Sequence, residues 1–275
     1  MDFTQSIINQ VANALDEDVG SGDISAELVD ADTQLQTQLL VREDAVLCGV
    51  PWFDEVFRQC NPSIEVQWRY RDGDPVSSDS VVCEISGPAR PLLTAERCAL
   101  NFLQTLSGTA TATRQLAEQI AHTGCRILDT RKTIPQLRIA QKYAVRCGGG
   151  ENHRIGLFDA YLIKENHLAA CGGIANAVAR ARELDPGKLL EVEVENLDQL
   201  QQAIEAKVDR ALLDNFSIEL MREAVSLNRG RIKLEASGDI NPGTIVAVAE
   251  TGVDFVSVGG LTKHLRAVDF SLRFK

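Results

Sequence analysis

The sequence predicts a two-part α/β protein: a small α+β domain of about a hundred residues, then an incomplete (β/α) barrel. Two observations lead to this. From residue 125 onward, short apolar runs recur at 125–129, 160–163, 189–194, 210–213, 231–235 and 253–258. Helix-like stretches fill the gaps, at about 135–146, 168–184, 196–206, 217–228 and 241–250. Strand-then-helix alternation specifies parallel strands joined by crossover helices. The second observation is the contrasting N-terminal part, where short alternating strands mix with a few helices. Six strand–helix units in about 140 residues are too few for eight full repeats, hence an incomplete barrel. A doubly wound open sheet is the alternative. No G-x-G-x-x-G follows a first strand and no G-x-x-x-x-G-K-[ST] occurs, which weakens dinucleotide and P-loop readings.

Taken in order, residues 3–16 follow a helical period, with Ile7, Ile8, Val11, Ala14 and Leu15 on one face. The cluster 18–23 is a turn whose acids suit a capping loop, with cation binding as the lesser reading. Residues 34–41 and 45–49 read as strands of a hairpin turning at 42–44. Residues 51–60 read as a helix with Pro51 in its first turn. Residues 63–70 alternate like a half-buried strand, 71–75 turn, and 80–86 form another strand. After Gly87-Pro88 the period becomes helical, through Leu92, Leu93, Ala99, Leu100, Leu103 and Leu106. Ser107-Gly108-Thr109 is expected to kink or interrupt this helix before a second segment, 110–122. Arg97 lies on its more polar side, where a partner surface is within reach.

The formal charge is −11, yet the stretch from Cys125 to Lys164 reverses the sign. It carries Arg126, Arg131, Lys132, Arg138, Lys142, Arg146, Arg154 and Lys164 against Asp129, Glu151 and Asp159, eight minus three, or +5. A local basic region in an acidic protein suggests an anionic ligand at one site. Arg138, Lys142 and Arg146, spaced by four, read as a solvated helix face. Arg131, Lys132 and Lys164 differ, because they follow the ends of apolar strand-like runs. An acidic chain with scattered cations carries no nucleic-acid footprint. No apolar run approaches the ~20 residues of a membrane span. The acidic start lacks a signal peptide's pattern, so a cytoplasmic location is expected. Seven cysteines without C-x-x-C or zinc spacing read as small buried hydrophobes, with a catalytic Cys147 or Cys171 as a weak alternative.

In a (β/α) barrel the chemistry collects at the C-terminal strand ends. Here the six ends read Asp129-Thr130-Arg131-Lys132, Lys164-Glu165-Asn166-His167, the run holding Glu191, Glu193 and Glu195, Asp214-Asn215, Glu235-Ala236-Ser237-Gly238, and Ser257-Val258-Gly259-Gly260. Ordinary turns would account for one or two polar ends; six with this charge content fit a site better. Arg131, Lys132, Arg154 and Lys164 suit carboxylates or phosphates. Glu193 and Asp214, on separate strands, suit one Mg²⁺, although Glu191 and Glu195 share the alternation of Glu193. Ser237-Gly238 and Gly259-Gly260 each precede an expected helix, whose amides and dipole would make an anion seat. His153, beside Arg154 and after Gly148-Gly149-Gly150, is expected at the site as an anion contact or proton donor.

The segments LDTRKTIPQLRIAQKYAVRCGGGENHRIGLFDAYLIKENH, ERCALNFLQTLSG, LEVEVENLDQL, LLDNFS, LEASGDIN and VSVGGLTKH together resemble quinolinate phosphoribosyltransferases. The resemblance extends over essentially the whole chain, including EDVGSGDIS near its start. It implies an N-terminal α/β sandwich domain, 1–108, and an open, TIM-like α/β barrel, 109–265, with 266–275 returning to the first domain. It implies transfer of phosphoribosyl from 5-phosphoribosyl 1-diphosphate to quinolinate with decarboxylation, giving nicotinate mononucleotide, CO₂ and diphosphate, with Mg²⁺. It implies a homodimer with a shared site, hexamers also occurring in the family, and Arg97 matches an arginine supplied by the neighbouring subunit. Arg131, His153, Arg154 and Lys164 match the quinolinate pocket, with Lys132 at the border to the phosphoribosyl substrate. Glu193 and Asp214 match the acidic pair near ribose and metal. Ser237, Gly238, Gly259 and Gly260 match the 5-phosphate region, and Ser257 is placed with them. Lys132, Lys164, Glu193 and Asp214 are the expected catalytic residues; for the proton that ends decarboxylation, Lys132, Lys164 and a water stay open. Two rivals remain: a nicotinate phosphoribosyltransferase, and a non-catalytic metabolite-binding subunit. Several cations at one spot favour two carboxylates over one.

Overall fold

The computed structural model describes residues 3–274. In chain order the elements are α1 (Thr4–Val19), β1 (Gln34–Val41), β2 (Ala45–Val46), α2 (Val50–Cys60), β3 (Glu65–Trp68), β4 (Pro75–Val76), β5 (Val81–Pro88) and α3 (Ala89–Gln119). They continue as β6 (Arg126–Leu128), α4 (Arg138–Cys147), β7 (Ala160–Ile163), α5 (Glu165–Cys171), α6 (Ile174–Leu184), β8 (Leu189–Val194), α7 (Leu197–Glu205) and β9 (Arg210–Asp214). The last are α8 (Ile218–Asn228), β10 (Lys233–Ser237), α9 (Ile245–Ala249), β11 (Phe255–Ser257), α10 (Gly260–Lys263) and β12 (Phe270–Phe274). Contacts divide the chain into one unit holding residues through Arg114, Thr133–Gly149 and the stretch from His264, and a second holding Gln115–Lys132 and Gly150–Lys263.

The first unit is built on an antiparallel sheet of order β12-β1-β5-β3. Alternation in β1 buries Thr37, Leu39 and Val41 on one face. The final strand enters this sheet through Leu39↔Leu272 and Val41↔Phe270. Helix α2 presents Trp52, Phe53, Val56 and Phe57 to the core, at helical spacing. Phe53 stacks with Phe57 at 5.0 Å and meets Trp68 edge-on at 5.1 Å. The expected hairpin over 34–49 does not form. β2 pairs with β4 instead, Ala45 with Val76, because β1 is already flanked by β12 and β5.

Helix α3 runs unbroken for 31 residues, so Ser107-Gly108-Thr109 is not a kink. Those residues serve packing. The Ser107 hydroxyl accepts from Cys48 N at 2.9 Å and donates to Cys48 O at 3.1 Å. A Cβ on Gly108 would collide with the Arg266 carbonyl oxygen, so the missing side chain lets the returning C-terminal segment lie against the helix. Two middle pieces expected with the barrel, 109–114 and 133–149, cluster with this unit. Arg114 draws them in, donating to the carbonyls of Gly73, Cys147 and Gly148. Tyr143 adds a stacking contact to Trp52 at 5.4 Å. Within α4, Lys142 is 1% exposed, so the expected solvated face is corrected: that helix buries Lys142 and exposes Arg146.

The second unit carries a six-stranded parallel sheet of order β6-β11-β10-β9-β8-β7, with β6 and β7 at its edges. Strands β7 to β11 follow one another in order across the sheet, each joined to the next by helix, and β6 closes the far edge beside β11. β7 and β8 fall at the expected residues. The single helix expected over 168–184 is two helices, split at Gly172 and Gly173, whose φ values of 76° and 112° leave the helical region. Side-chain caps open α7 and α8: Asn196 Oδ1 accepts from Gln199 N and Ser217 Oγ from Leu220 N. No described helix is long and apolar enough to cross a membrane.

Candidate active site

Parallel strands direct successive side chains to opposite faces of the sheet. In β8 this separates Leu190, Val192 and Val194 from Glu191 and Glu193; in β9 it separates Ala211 and Leu213 from Arg210 and Asp214. The polar set on one face continues in β10 with Glu235 and Ser237. Two of these groups are fully enclosed: Glu191 and Glu235 are both 0% exposed.

At the strand ends, Arg131, Arg154 and Lys164 line one cleft of about 510 Å³, together with Leu157, Tyr161 and His167. Arg131 follows β6, Lys164 follows β7, and Arg154 lies on the segment entering β7. Arg131 is close enough to Arg154 to oppose its charge. Burial first, and then Arg131, pulls the Arg154 guanidinium below its usual range. Two crowded guanidiniums at a cleft mouth are relieved by an anion with more than one negative group. Lys164 is ion-paired with Glu193, which is 15% exposed at the end of β8.

Lys132 lies apart from that cleft, along the turn after β11. A Cβ on Gly259 would stand 3.1 Å from Lys132 Cδ and 3.8 Å from its Nζ, so the glycine leaves room for the lysine chain. Thr262 Oγ1 donates to Lys132 O at 2.8 Å and fixes its backbone. Asp214 is half-buried at the end of β9, and Ser237 lies beside it in register at the end of β10. Gly238, at φ 116°, sits against Asn215: a Cβ there would collide with Asn215 Oδ1. The expected helix dipole behind Ser237-Gly238 is absent, since α9 starts only at Ile245 after a loop over 239–244. Gly259-Gly260 does lead into a helix, but α10 has four residues, too few for much of a dipole. Backbone amides, not dipoles, are what these turns offer an anion. Arg97 is exposed on α3 in the first unit. The basic stretch is likewise divided, with Arg138, Lys142 and Arg146 in the first unit and the other five cations in the second.

His153 is not a free cation at the cleft surface. Asp129, itself fully buried, accepts from His153 N at 2.9 Å and from the Asn152 amide at 2.6 Å, which fixes this loop. The ring is 9% exposed, and its Nδ1 accepts the Arg154 backbone N–H at 2.7 Å. An accepting Nδ1 places the proton on Nε2, which faces Glu191 at 2.8 Å and Glu235 at 3.6 Å.

Beneath the cleft lies a buried network that sequence reasoning did not single out. Arg210 Nη1 donates to Glu235 Oε2 at 2.8 Å, and its guanidinium stacks on Phe255 at 4.4 Å. Ser257, expected to bind substrate, turns its hydroxyl to Glu235. Two buried carboxyls on neighbouring positions of this network disfavour each other's charge. Burial, and next the charge of Glu191, pushes Glu235 up to about 7; burial also raises Glu191. A carboxyl raised in the fold stabilises it while protonated. That contribution is complete below the ordinary value of 4.5 and is lost as pH rises through about 7. Between those limits wild type is expected to lose on the order of 3 kcal/mol relative to Glu235→Gln. Urea unfolding of both proteins across that range measures it, and parallel pH profiles would refute the raised Glu235 carboxyl.

Among the described residues, groups of three metal-ligating side chains occur at His153, Glu191 and Glu235 and at Cys48, Asp72 and Cys147, not at Glu193 and Asp214. Those two carboxylates lie near the ends of adjacent strands, Glu193 opposite Leu212 and Asp214 two residues further on, both half-buried. Two hard oxygen donors with access to solvent fit Mg²⁺, which keeps several waters and substrate oxygens in its shell.

Residues 23–107 match the quinolinate phosphoribosyl transferase N-terminal domain, and 109–273 match the C-terminal domain of the same family. The chain belongs to the quinolinate phosphoribosyltransferase family. An Arabidopsis thaliana relative named nicotinate-nucleotide pyrophosphorylase [carboxylating], chloroplastic, is 38% identical over 281 residues, covering 94% of this chain and 80% of its own. A Nicotiana glauca quinolinate phosphoribosyltransferase [decarboxylating] is 36% identical, with the same coverage. The solved nicotinate-nucleotide pyrophosphorylase from Francisella tularensis superposes with a TM-score of 0.97 at 51% identity, covering 99% of this chain and 97% of that one. Human nicotinic acid phosphoribosyltransferase, at 13% identity and a TM-score of 0.65, shares the fold. In this family frame the cleft cations and the strand-end carboxylates lie on one sheet of the second unit, and Arg97 lies on the first.

Proposed function

We propose that the strand-end residues of the second unit carry out the family reaction on quinolinate. The chain is a pentosyltransferase of de novo NAD synthesis: it transfers phosphoribosyl from 5-phosphoribosyl 1-diphosphate to quinolinate and releases CO₂ and diphosphate, leaving nicotinate mononucleotide. The observation that carries the residue-level reading is the meeting of Arg131, Arg154 and Lys164 in one cleft of a chain with net charge −11. A dianion leaves water only where several cations replace its hydration. Arg131 and Arg154 offer planar forks to the two carboxylates, and Lys164 a point charge. Arg97 of the neighbouring subunit completes the pocket in a homodimer.

Lys132, beside Gly259, reaches the phosphoribosyl substrate, and the turns at Ser237-Gly238 and Gly259-Gly260 offer amides to its 5-phosphate. Glu193 and Asp214 lie where positive charge grows on the ribose as the diphosphate departs, and negative side chains there lower that barrier. Glu193 has a second task, orienting Lys164. Mg²⁺ held by Glu193 and Asp214 would supply charge neutralisation at the leaving diphosphate. Holding the pyridine nitrogen against C1 supplies much of the remaining acceleration. His153 positions: its ring ties the Arg154 backbone to the buried carboxyls. A cytoplasmic location suits a chain whose seven cysteines are all free.

The test is release of labelled CO₂ from quinolinate carrying label in its 2-carboxyl group. Release is expected only with 5-phosphoribosyl 1-diphosphate present, to stop with excess EDTA, and to return with Mg²⁺. Phosphoribosyl transfer to nicotinate without CO₂ would replace this reading by the rival activity. An unchanged rate in EDTA would remove the metal from Glu193 and Asp214.

A further inference from the structure

The first unit holds a side-chain group that the reaction does not use. The sulfurs of Cys48 and Cys147 and a carboxylate oxygen of Asp72 all lie within 4.8 Å of one another. Cys48, just before α2, is fully buried; Cys147, the last residue of α4, is half-buried. We propose that these two cysteines are an oxidisable pair, in which a hydroperoxide oxidises Cys147 and Cys48 resolves the product as a disulfide.

Geometry carries this assignment. Both backbones are pinned close to the point where the sulfurs meet. Cys48 N and O are each bonded to the Ser107 hydroxyl, and Cys147 O accepts from Arg114. Asp72 is already committed: it accepts from Gly49 N, Val50 N and the Tyr143 hydroxyl, the first two at the start of α2. It therefore serves as a helix cap and leaves the sulfurs to each other, not to a metal ion. The accessible partner is also the more acidic one. A hydrogen bond from Cys48 holds the Cys147 thiol below its ordinary value, while burial drives Cys48 well above it. A more acidic, more accessible thiol in front of a buried second thiol is the arrangement of an attacking and a resolving cysteine. Cys60 also acts on Cys98, but burial pushes both thiols up, Cys98 to about 12, so neither supplies thiolate.

The chemistry balances with the hydroperoxide as oxidant. The Cys147 thiolate attacks the outer peroxide oxygen, the O–O bond breaks, and an alcohol or water leaves as sulfur becomes sulfenic acid. The Cys48 sulfur then attacks Cys147; the S–S bond forms, the S–O bond breaks, and water departs with the thiol proton.

The test treats the reduced, full-length enzyme with hydrogen peroxide, alkylates residual thiols and maps the peptides by mass. Wild type is expected to lose two of its seven free thiols. The linked Cys48–Cys147 peptides should weigh about 2 Da less than the separate thiols, reversibly with dithiothreitol. Cys48→Ala should leave a sulfenic acid that dimedone labels at Cys147, and Cys147→Ser should yield no link. A full set of alkylated thiols after peroxide would overturn the proposal, as would a Cys60–Cys98 link in its place, or dimedone on a residue other than Cys147. Should Cys48→Ala fail to fold, the wild-type peptide map decides alone.

Discussion

Arg131→Ala is expected to lower kcat/KM for quinolinate about 10³-fold, since truncating one partner of a desolvated charge pair costs roughly 2–5 kcal/mol. The side chain shares its cleft with Arg154 and Lys164, and Arg154 already has its charge form disfavoured by burial and by Arg131. Removing Arg131 relaxes that crowding of like charges in the free enzyme. The bound dianion, by contrast, keeps one carboxylate out of water without a fork to hold it. Thermal unfolding should therefore stay near wild type while turnover collapses. Arg131→Lys should recover part of the loss, because it restores the charge but not the planar two-pronged contact. Wild-type rates in Arg131→Ala would place quinolinate elsewhere.

The same residue marks what a linear sequence discloses. Arg131, Lys132 and Lys164 were legible because each breaks an apolar run, and strand ends in a barrel are where side chains meet. β7 and β8 were legible because their apolar runs are short and bounded by turn residues. What failed depended on distant contacts. Ser107-Gly108 reads as a helix breaker, yet Ser107 is bonded to Cys48 and Gly108 admits the backbone at Arg266. Lys142 reads as a surface cation, yet it is buried in α4. The network of Arg210, Glu235, Glu191 and His153 stayed hidden for a more general reason. Alternation of Glu with Leu or Val looks the same whether the polar face meets water or the inside of a barrel. Only the sheet order, which brings β8, β9 and β10 side by side, separates the two. Asp129 is a similar case: it reads as one polar residue of a strand end, while in the fold it anchors Asn152 and His153.

Mixing Arg97→Ala with Arg131→Ala is expected to raise activity from near zero to about one quarter of wild type, if subunits exchange and pair at random. The reasoning is combinatorial. In the proposed homodimer each site takes Arg131 from one subunit and Arg97 from the other. Either variant alone spoils both sites of its own dimer. Random exchange makes about half of all dimers mixed, and in each mixed dimer one site carries both lesions and the other carries neither. One intact site in two, over half the molecules, leaves about one quarter of the sites working. Arg97 is exposed on α3, so its loss should not disturb the fold, and each variant alone serves as the control. If Arg97 instead served its own subunit's site, every mixed dimer would carry one lesion in each site, and mixing would restore nothing. The measurement is steady-state turnover before and after co-refolding of equimolar variants. Restoration well short of a quarter, with exchange verified by mass-tagged subunits, would overturn the shared site and place Arg97 in its own subunit's site.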